Sequence, residues 1–169
     1  MTLRIPYIIA AAIAALSLLY LSSPPQLRAA PVLTVTSLDG EQLNLADTEG
    51  VTRLVTFISP DCSVSDRNLQ ALESIRQHYA SEALEVVGIT MPYNSPADVE
   101  TFRRENDIRF QLVADNDGSI ADAFVQVRFT PTSFLIDDRG NITQRIVGKL
   151  REDELRQKID SLNAAQKPG

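Results

Sequence analysis

Apolar positions along the chain fall into runs of two kinds. TRLVTFIS (52–59), LEVVGIT (84–90) and FQLVAD (110–115) are short stretches rich in β-branched residues, the first two almost continuously apolar. Runs without polar alternation predict strands covered on both faces. Between the first two, SVSDRNLQALESIRQHYA places Leu69, Leu72, Ile75 and Tyr79 on one stripe, while Asp66, Arg67, Gln70, Glu73 and Gln77 face elsewhere. That spacing predicts an amphipathic helix starting near Ser63. NSPADVETFRREND predicts a second helix, with Ser95 as N-cap and Pro96 at its first position. DGSIADAFVQV (117–127) reads as a short helix. TSFLIDDRGNITQRIVG is a strand hairpin turning at 137–141, and REDELRQKIDSL a closing helix with Leu155, Ile159 and Leu162 on one face. Upstream, VLTVTSLDGEQLNL alternates around Asp39-Gly40, a hairpin signal.

Strand, helix, strand, helix, strand, then a hairpin and a helix predict an α/β fold with a central mixed sheet flanked by helices. To this are added an N-terminal β-hairpin and a helix inserted between two central strands. In such sheets the reactive group sits where the carboxyl end of a strand meets the next helix. SPDCS (59–63) occupies that place, and Cys62 is the one cysteine of the chain.

Composition narrows the class. With 169 residues, 44% hydrophobic and a net charge of -6, the chain fits one domain without repeats. The acidic balance and the lack of a basic cluster argue against nucleic acid as a partner. The start differs: MTLR precedes the uncharged run IPYIIAAAIAALSLLYL, followed by SSPPQLRAA. Residues 1–22 read as a signal peptide or signal anchor that engages the membrane. Residues 23–31 read as a linker, 32–163 as the folded domain and 164–169 as a flexible tail. The run is short beside the roughly 20 residues of a spanning helix, and cleavage signals near Ala29 and Ala30 are poor. Anchoring is therefore preferred to removal, and both place the domain in a periplasmic or other extracytoplasmic space.

A lone cysteine is by default a small buried apolar residue. Pro60, Asp61, Ser63 and Ser65 place this one on a turn instead, at a helix start where free N–H groups stabilise a thiolate. Asp61 and Asp66 act in the opposite sense, so the sign of the net effect stays open. No metal site is expected: His78 is the single histidine, and Asp115, Asn116, Asp117 and Gly118 lack the glutamate a calcium loop requires, Gln126 standing there. No cofactor is implied, since phosphate and dinucleotide loops are missing.

FISPDCSVSDRNL resembles the active-site segment of exported or membrane-anchored thioredoxin-like proteins, the TlpA-like redoxins. FTPTSFLIDDRGNITQRIVGKLREDELRQKI resembles the second signature of that family. The likeness spans about residues 32–162 and implies a thioredoxin-like fold. It implies that Cys62 is the attacking cysteine and that Pro131, after Thr130, is the cis-proline facing it, where a client segment pairs. Ser65 occupies the position of the resolving cysteine, Asp61 that of a common aromatic residue, and Asn68 that of a frequent glutamate. Arg128 stands where a small residue is usual, either as a carboxylate contact near Cys62 and Asp61 or as a solvated loop residue. The implied function is thiol–disulfide exchange through one attacking cysteine. The mixed disulfide would form with client protein thiols or glutathione and be resolved by an external thiol. The alternatives are a one-cysteine thiol peroxidase, for which Ser59 fits the pattern and Val55 does not, and a redox-inactive binding or chaperone module.

Overall fold

The computed structural model describes residues 28–48, 50–79 and 83–166. Strand β4 (Thr52–Ile58) is the centre of the molecule, and every residue of it is buried. It pairs in parallel with β5 (Leu84–Thr90) and antiparallel with β7 (Thr132–Ile136). Outward from these lie β6 (Gln111–Ala114) on one side, and on the other β8 (Asn141–Val147) and the short β1 (Arg28–Ala29). The resulting order is β1-β8-β7-β4-β5-β6, a mixed sheet, with β2 (Thr34–Thr36) and β3 (Gln42–Asn44) forming a separate hairpin.

The continuous apolar runs are explained by a core on each side of the sheet. Successive strand residues point to opposite faces. Leu54 and Ile58 of β4 accordingly join Val86, Leu112 and Leu135 in one cluster, while Val55 and Phe57 join Val87, Ile89 and Phe134 in the other. The first face is covered by α1 (Ser63–His78), α2 (Pro96–Glu105) and α4 (Glu152–Gln166), through Leu69, Leu72, Ile75, Phe102, Leu155 and Ile159. The second is covered by α3 (Ser119–Ala123) and the hairpin, with Phe57, Phe124 and Phe134 in edge-on or tilted contact. One polar pair is matched across strands, where the hydroxyls of Thr56 and Ser133 bond at 2.9 Å. At Gly88 a Cβ would lie 2.6 Å from Leu112 Cδ2 and 2.8 Å from Phe110 Cε2. The residue is glycine because those side chains close over the strand there.

Some boundaries move. Arg28 and Ala29, inside the expected linker, pair with Ile142 and Asn141 of β8, and Ala30 is buried with its N–H on Gly140 O at 2.8 Å. The domain thus begins before residue 32, because β8 has an open edge to cover. Helix α4 runs on into the stretch expected as a tail. There Gln166 Nε2 donates to Thr52 Oγ1 at 3.1 Å, and that hydroxyl donates to Asn163 at 2.9 Å. The helix expected over 117–127 is α3 alone, since Val125 and Gln126 have φ of 64° and 55°. The signal or anchor expected over residues 1–22, and most of the expected linker, lie outside the described residues. No helix among the described residues is long and apolar enough to cross a membrane.

Candidate functional site

Strand β4 ends at Ile58, and Ser59, Pro60 and Asp61 turn the chain, with Cys62 N–H donating to Ser59 O at 3.1 Å. Cys62 is the N-cap of α1, in extended conformation (φ −111°, ψ 105°), and its neutral thiol makes no cap hydrogen bond. It is half-buried. Helix starts leave backbone N–H groups without intrahelical partners, and here those of Val64 and Ser65 act on the sulfur.

Opposite, the Thr130–Pro131 peptide bond is cis, and Cys62 Sγ lies 3.4 Å from Thr130 O. The loop carrying that carbonyl is seated through Gly148. Gly148 N–H donates to Pro131 O at 2.8 Å, and Gly148 O accepts from Asn68 Nδ2 at 3.0 Å. Asn68 Oδ1 in turn accepts from Leu150 N–H at 3.0 Å. Gly148 has φ of 89°, a conformation that glycine adopts without a Cβ penalty. Asn68, 1% exposed, is therefore a clamp between α1 and the turn after β8, whatever a glutamate does at that position elsewhere. Truncating it in Asn68→Ala is expected to cost about 1–3 kcal/mol of stability, because Leu150 N–H loses its partner in a buried place and Gly148 O in a partly buried one. A urea titration reads this as a lower midpoint at unchanged slope, and a loss under about 1 kcal/mol would contradict a clamping role.

The balance at Cys62 resolves in favour of the thiolate. Burial is the largest single influence and pushes the thiol up. It is outweighed by the Ser65 hydroxyl, the N–H groups of Ser65 and Val64 and the Thr130 side chain, so the pKa is lowered. The Thr130 carbonyl opposes them by accepting from the neutral thiol. Asp61 and Asp66 are both exposed and are not among the influences on the sulfur. Arg128 is exposed too and forms no ion pair or hydrogen bond among the described residues, so it does not offset Asp61 there.

Ser65 has a second property that its position in a Cys-x-x-Ser segment does not reveal. It is fully buried, and Ser59 N–H donates to its Oγ at 3.3 Å. Accepting there leaves the hydroxyl proton free to donate, and donation from Ser65 is among the influences that lower the Cys62 pKa. In Ser65→Ala the thiolate loses this donor, and the pH midpoint of iodoacetamide alkylation at Cys62 is expected to rise. Alkylation at pH 7 slows by less than the fall in thiolate fraction, because a more basic thiolate is the better nucleophile. An unmoved midpoint would show that the hydroxyl is silent. Among the described residues no cluster of three or more His, Cys, Asp or Glu side chains is placed to hold a metal. Asp115 instead caps α3, accepting from the N–H groups of Ile120 and Ala121 at 3.1 and 2.8 Å.

The AhpC/TSA family model matches residues 27–145. A thioredoxin-like protein of Bacillus subtilis, YneN, is 30% identical over 132 residues, which are 78% of this chain and 76% of YneN. The thiol-disulfide oxidoreductase ResA of Bacillus thuringiensis is 25% identical over 133 residues, 79% of this chain and 76% of ResA. A thiol:disulfide interchange protein of Chlorobium tepidum, of the thioredoxin family, shares the fold with a TM-score of 0.74. It is 20% identical and covers 83% of this chain and 99% of its own.

Proposed function

The chain belongs to the AhpC/TSA family, and from that premise we propose that it carries out thiol–disulfide exchange through Cys62 alone. The observation that carries this reading is the placement of one thiol, its pKa lowered from the ordinary value, 3.4 Å from the carbonyl before Pro131, with a hydroxyl at position 65. The Cys62 thiolate attacks one sulfur of a disulfide. The new bond is Cys62–S–S–R, and the second half leaves as R′S⁻. An external thiolate then attacks the sulfur of R, forming a new disulfide and returning the electron pair to Cys62, which a lowered pKa makes a better leaving group. One disulfide is exchanged for another with no net oxidation. Ser65 cannot perform the second attack, because a hydroxyl does not displace a thiolate from a disulfide.

The substrate class is exported protein disulfides or glutathione. In this reading a client segment lies beside Thr130 and Pro131. Phe129 and Val147, 72% and 59% exposed at that end of the sheet, offer it apolar contact. Asp61 and Arg128, exposed on the loops either side, meet its charged groups. The N-terminal apolar segment holds the domain outside the cytoplasmic membrane, where disulfide clients occur. The names of YneN and ResA, a thioredoxin-like protein and a thiol-disulfide oxidoreductase, support exchange over peroxide chemistry.

The test treats reduced protein with glutathione disulfide and, separately, with hydrogen peroxide, followed by intact mass. The expected product is one glutathione on Cys62, removed by added thiol. Rapid peroxide turnover with no mixed disulfide would replace this reading with a peroxidase.

A further inference from the structure

Behind Cys62, three buried polar residues from three segments are linked through the side chain and the backbone N–H of Ser59. Ser59 directly follows β4, Ser65 lies in the first turn of α1, and Asn94 stands in the loop between β5 and α2. They are 2%, 0% and 9% exposed. Asn94 Nδ2 donates to Ser59 Oγ at 3.2 Å, and Ser59 N–H donates to Ser65 Oγ at 3.3 Å. Ser59 is the hub, since its carbonyl also accepts the Cys62 N–H at 3.1 Å. The loop that delivers Asn94 is short and held at both ends. Asn94 N–H donates to Met91 O at 3.0 Å, and the adjacent Ser95 caps α2 by accepting from Asp98 N–H at 3.2 Å.

Asn94 is a costly choice for packing alone. Its Oδ1 is buried with no hydrogen-bond partner among the described residues. An orphaned buried acceptor of this kind costs roughly 1–3 kcal/mol, whereas an apolar residue of similar shape would carry no such penalty. What the amide provides in return is its grip on Ser59. We propose that Asn94 is a positioning residue of the monothiol centre: by holding Ser59, whose N–H donates to Ser65 Oγ, it fixes the Ser65 hydroxyl in the first turn of α1 beside Cys62. Asn94 touches neither Cys62 nor substrate in this scheme. It acts through Ser59 and Ser65, and it rests on Cys62 being the reactive thiol.

The action through Ser65 makes the proposal separable from a role in folding. The pH profile of iodoacetamide alkylation at Cys62 is measured for wild type, Asn94→Leu, Ser59→Ala, Ser65→Ala and Asn94→Leu combined with Ser65→Ala, with each fold checked by circular dichroism. Asn94→Leu and Ser59→Ala are each expected to move the midpoint upward by a few tenths of a pH unit, slowing alkylation at pH 7 by less than about twofold. In the Ser65→Ala background, Asn94→Leu is expected to add nothing, since the donor it orients is gone. Ser59→Ala keeps the backbone N–H and removes only the atom Asn94 grips, so it answers the question if Asn94→Leu folds poorly. Unmoved midpoints in both single variants overturn the proposal, and so does a shift that persists undiminished without Ser65. A wild-type midpoint in the ordinary thiol range overturns the underlying reading of Cys62 instead, so the two failures are told apart.

Discussion

Cys62→Ser is expected to reduce thiol–disulfide exchange to the uncatalysed background while leaving the fold intact. The chain has no other sulfhydryl, and the nucleophile in exchange is a thiolate, which a serine hydroxyl cannot supply at neutral pH. Stability moves the other way. Cys62 is an N-cap whose side chain makes no cap bond, whereas serine is among the preferred residues there and can contribute up to about 1 kcal/mol. Loss of activity in a protein of equal or greater denaturation midpoint separates chemistry from structure. Residual exchange above background in Cys62→Ser would remove Cys62 from the mechanism.

Ser65→Cys is expected to have the opposite effect and to complete a two-thiol centre. Position 65 lies one helical turn from the N-cap, where side chains three apart are neighbours at about 5–6 Å between Cβ atoms, close enough for small adjustments to allow a disulfide. Its hydroxyl is among the groups that lower the Cys62 pKa. A thiol in that place attacks the mixed disulfide from within, and such intramolecular attack replaces an encounter in solution. The glutathione adduct on Cys62 should then decay at least about a hundredfold faster without added thiol. It should end as a disulfide between positions 62 and 65, seen in intact mass as loss of both thiol hydrogens from the reduced chain. The larger sulfur also enters a fully buried site and loses a good acceptor for Ser59 N–H. The reduced variant should therefore be less stable than wild type by about 1–3 kcal/mol. An adduct as persistent as in wild type would mean that the geometry of the first turn does not permit resolution.

The parts of this molecule that can be read from its sequence are those that local pattern determines. The unbroken apolar run of β4 requires cover on both faces and finds it, and the stripe of Leu69, Leu72 and Ile75 faces the core as its spacing demands. The Ser95-Pro96 start of α2 is a local signal, and the structure puts Asp98 N–H on that cap. The order of elements places Cys62 on the turn after β4, and the likeness of TPTSFLIDDRG to a known signature anticipates the cis bond before Pro131.

What stays hidden depends on contacts between distant residues. Asn68 has no side-chain partner within its own helix and meets Gly148 and Leu150 from a segment 80 or more positions away. Ser65 reads as a missing thiol until the strand end brings Ser59 N–H to its oxygen. The sign of the shift at Cys62 is undecidable from sequence because Asp61 and Asp66 are near along the chain but turned outward, whereas Thr130 is distant in sequence and adjacent in space. Asn94 reads only as the approach to a helix. The available signal is its place just past the carboxyl end of β5, beside the end of β4, where sites in such sheets are built.

The central claim is that Cys62 works as a single thiol whose mixed disulfide waits for an outside thiol. The most direct measurement is the lifetime of the wild-type Cys62–glutathione adduct, purified free of small thiols and followed by intact mass against increasing glutathione. The expected adduct persists without thiol and decays at a rate proportional to thiol concentration. Decay at a rate independent of added thiol would contradict the claim.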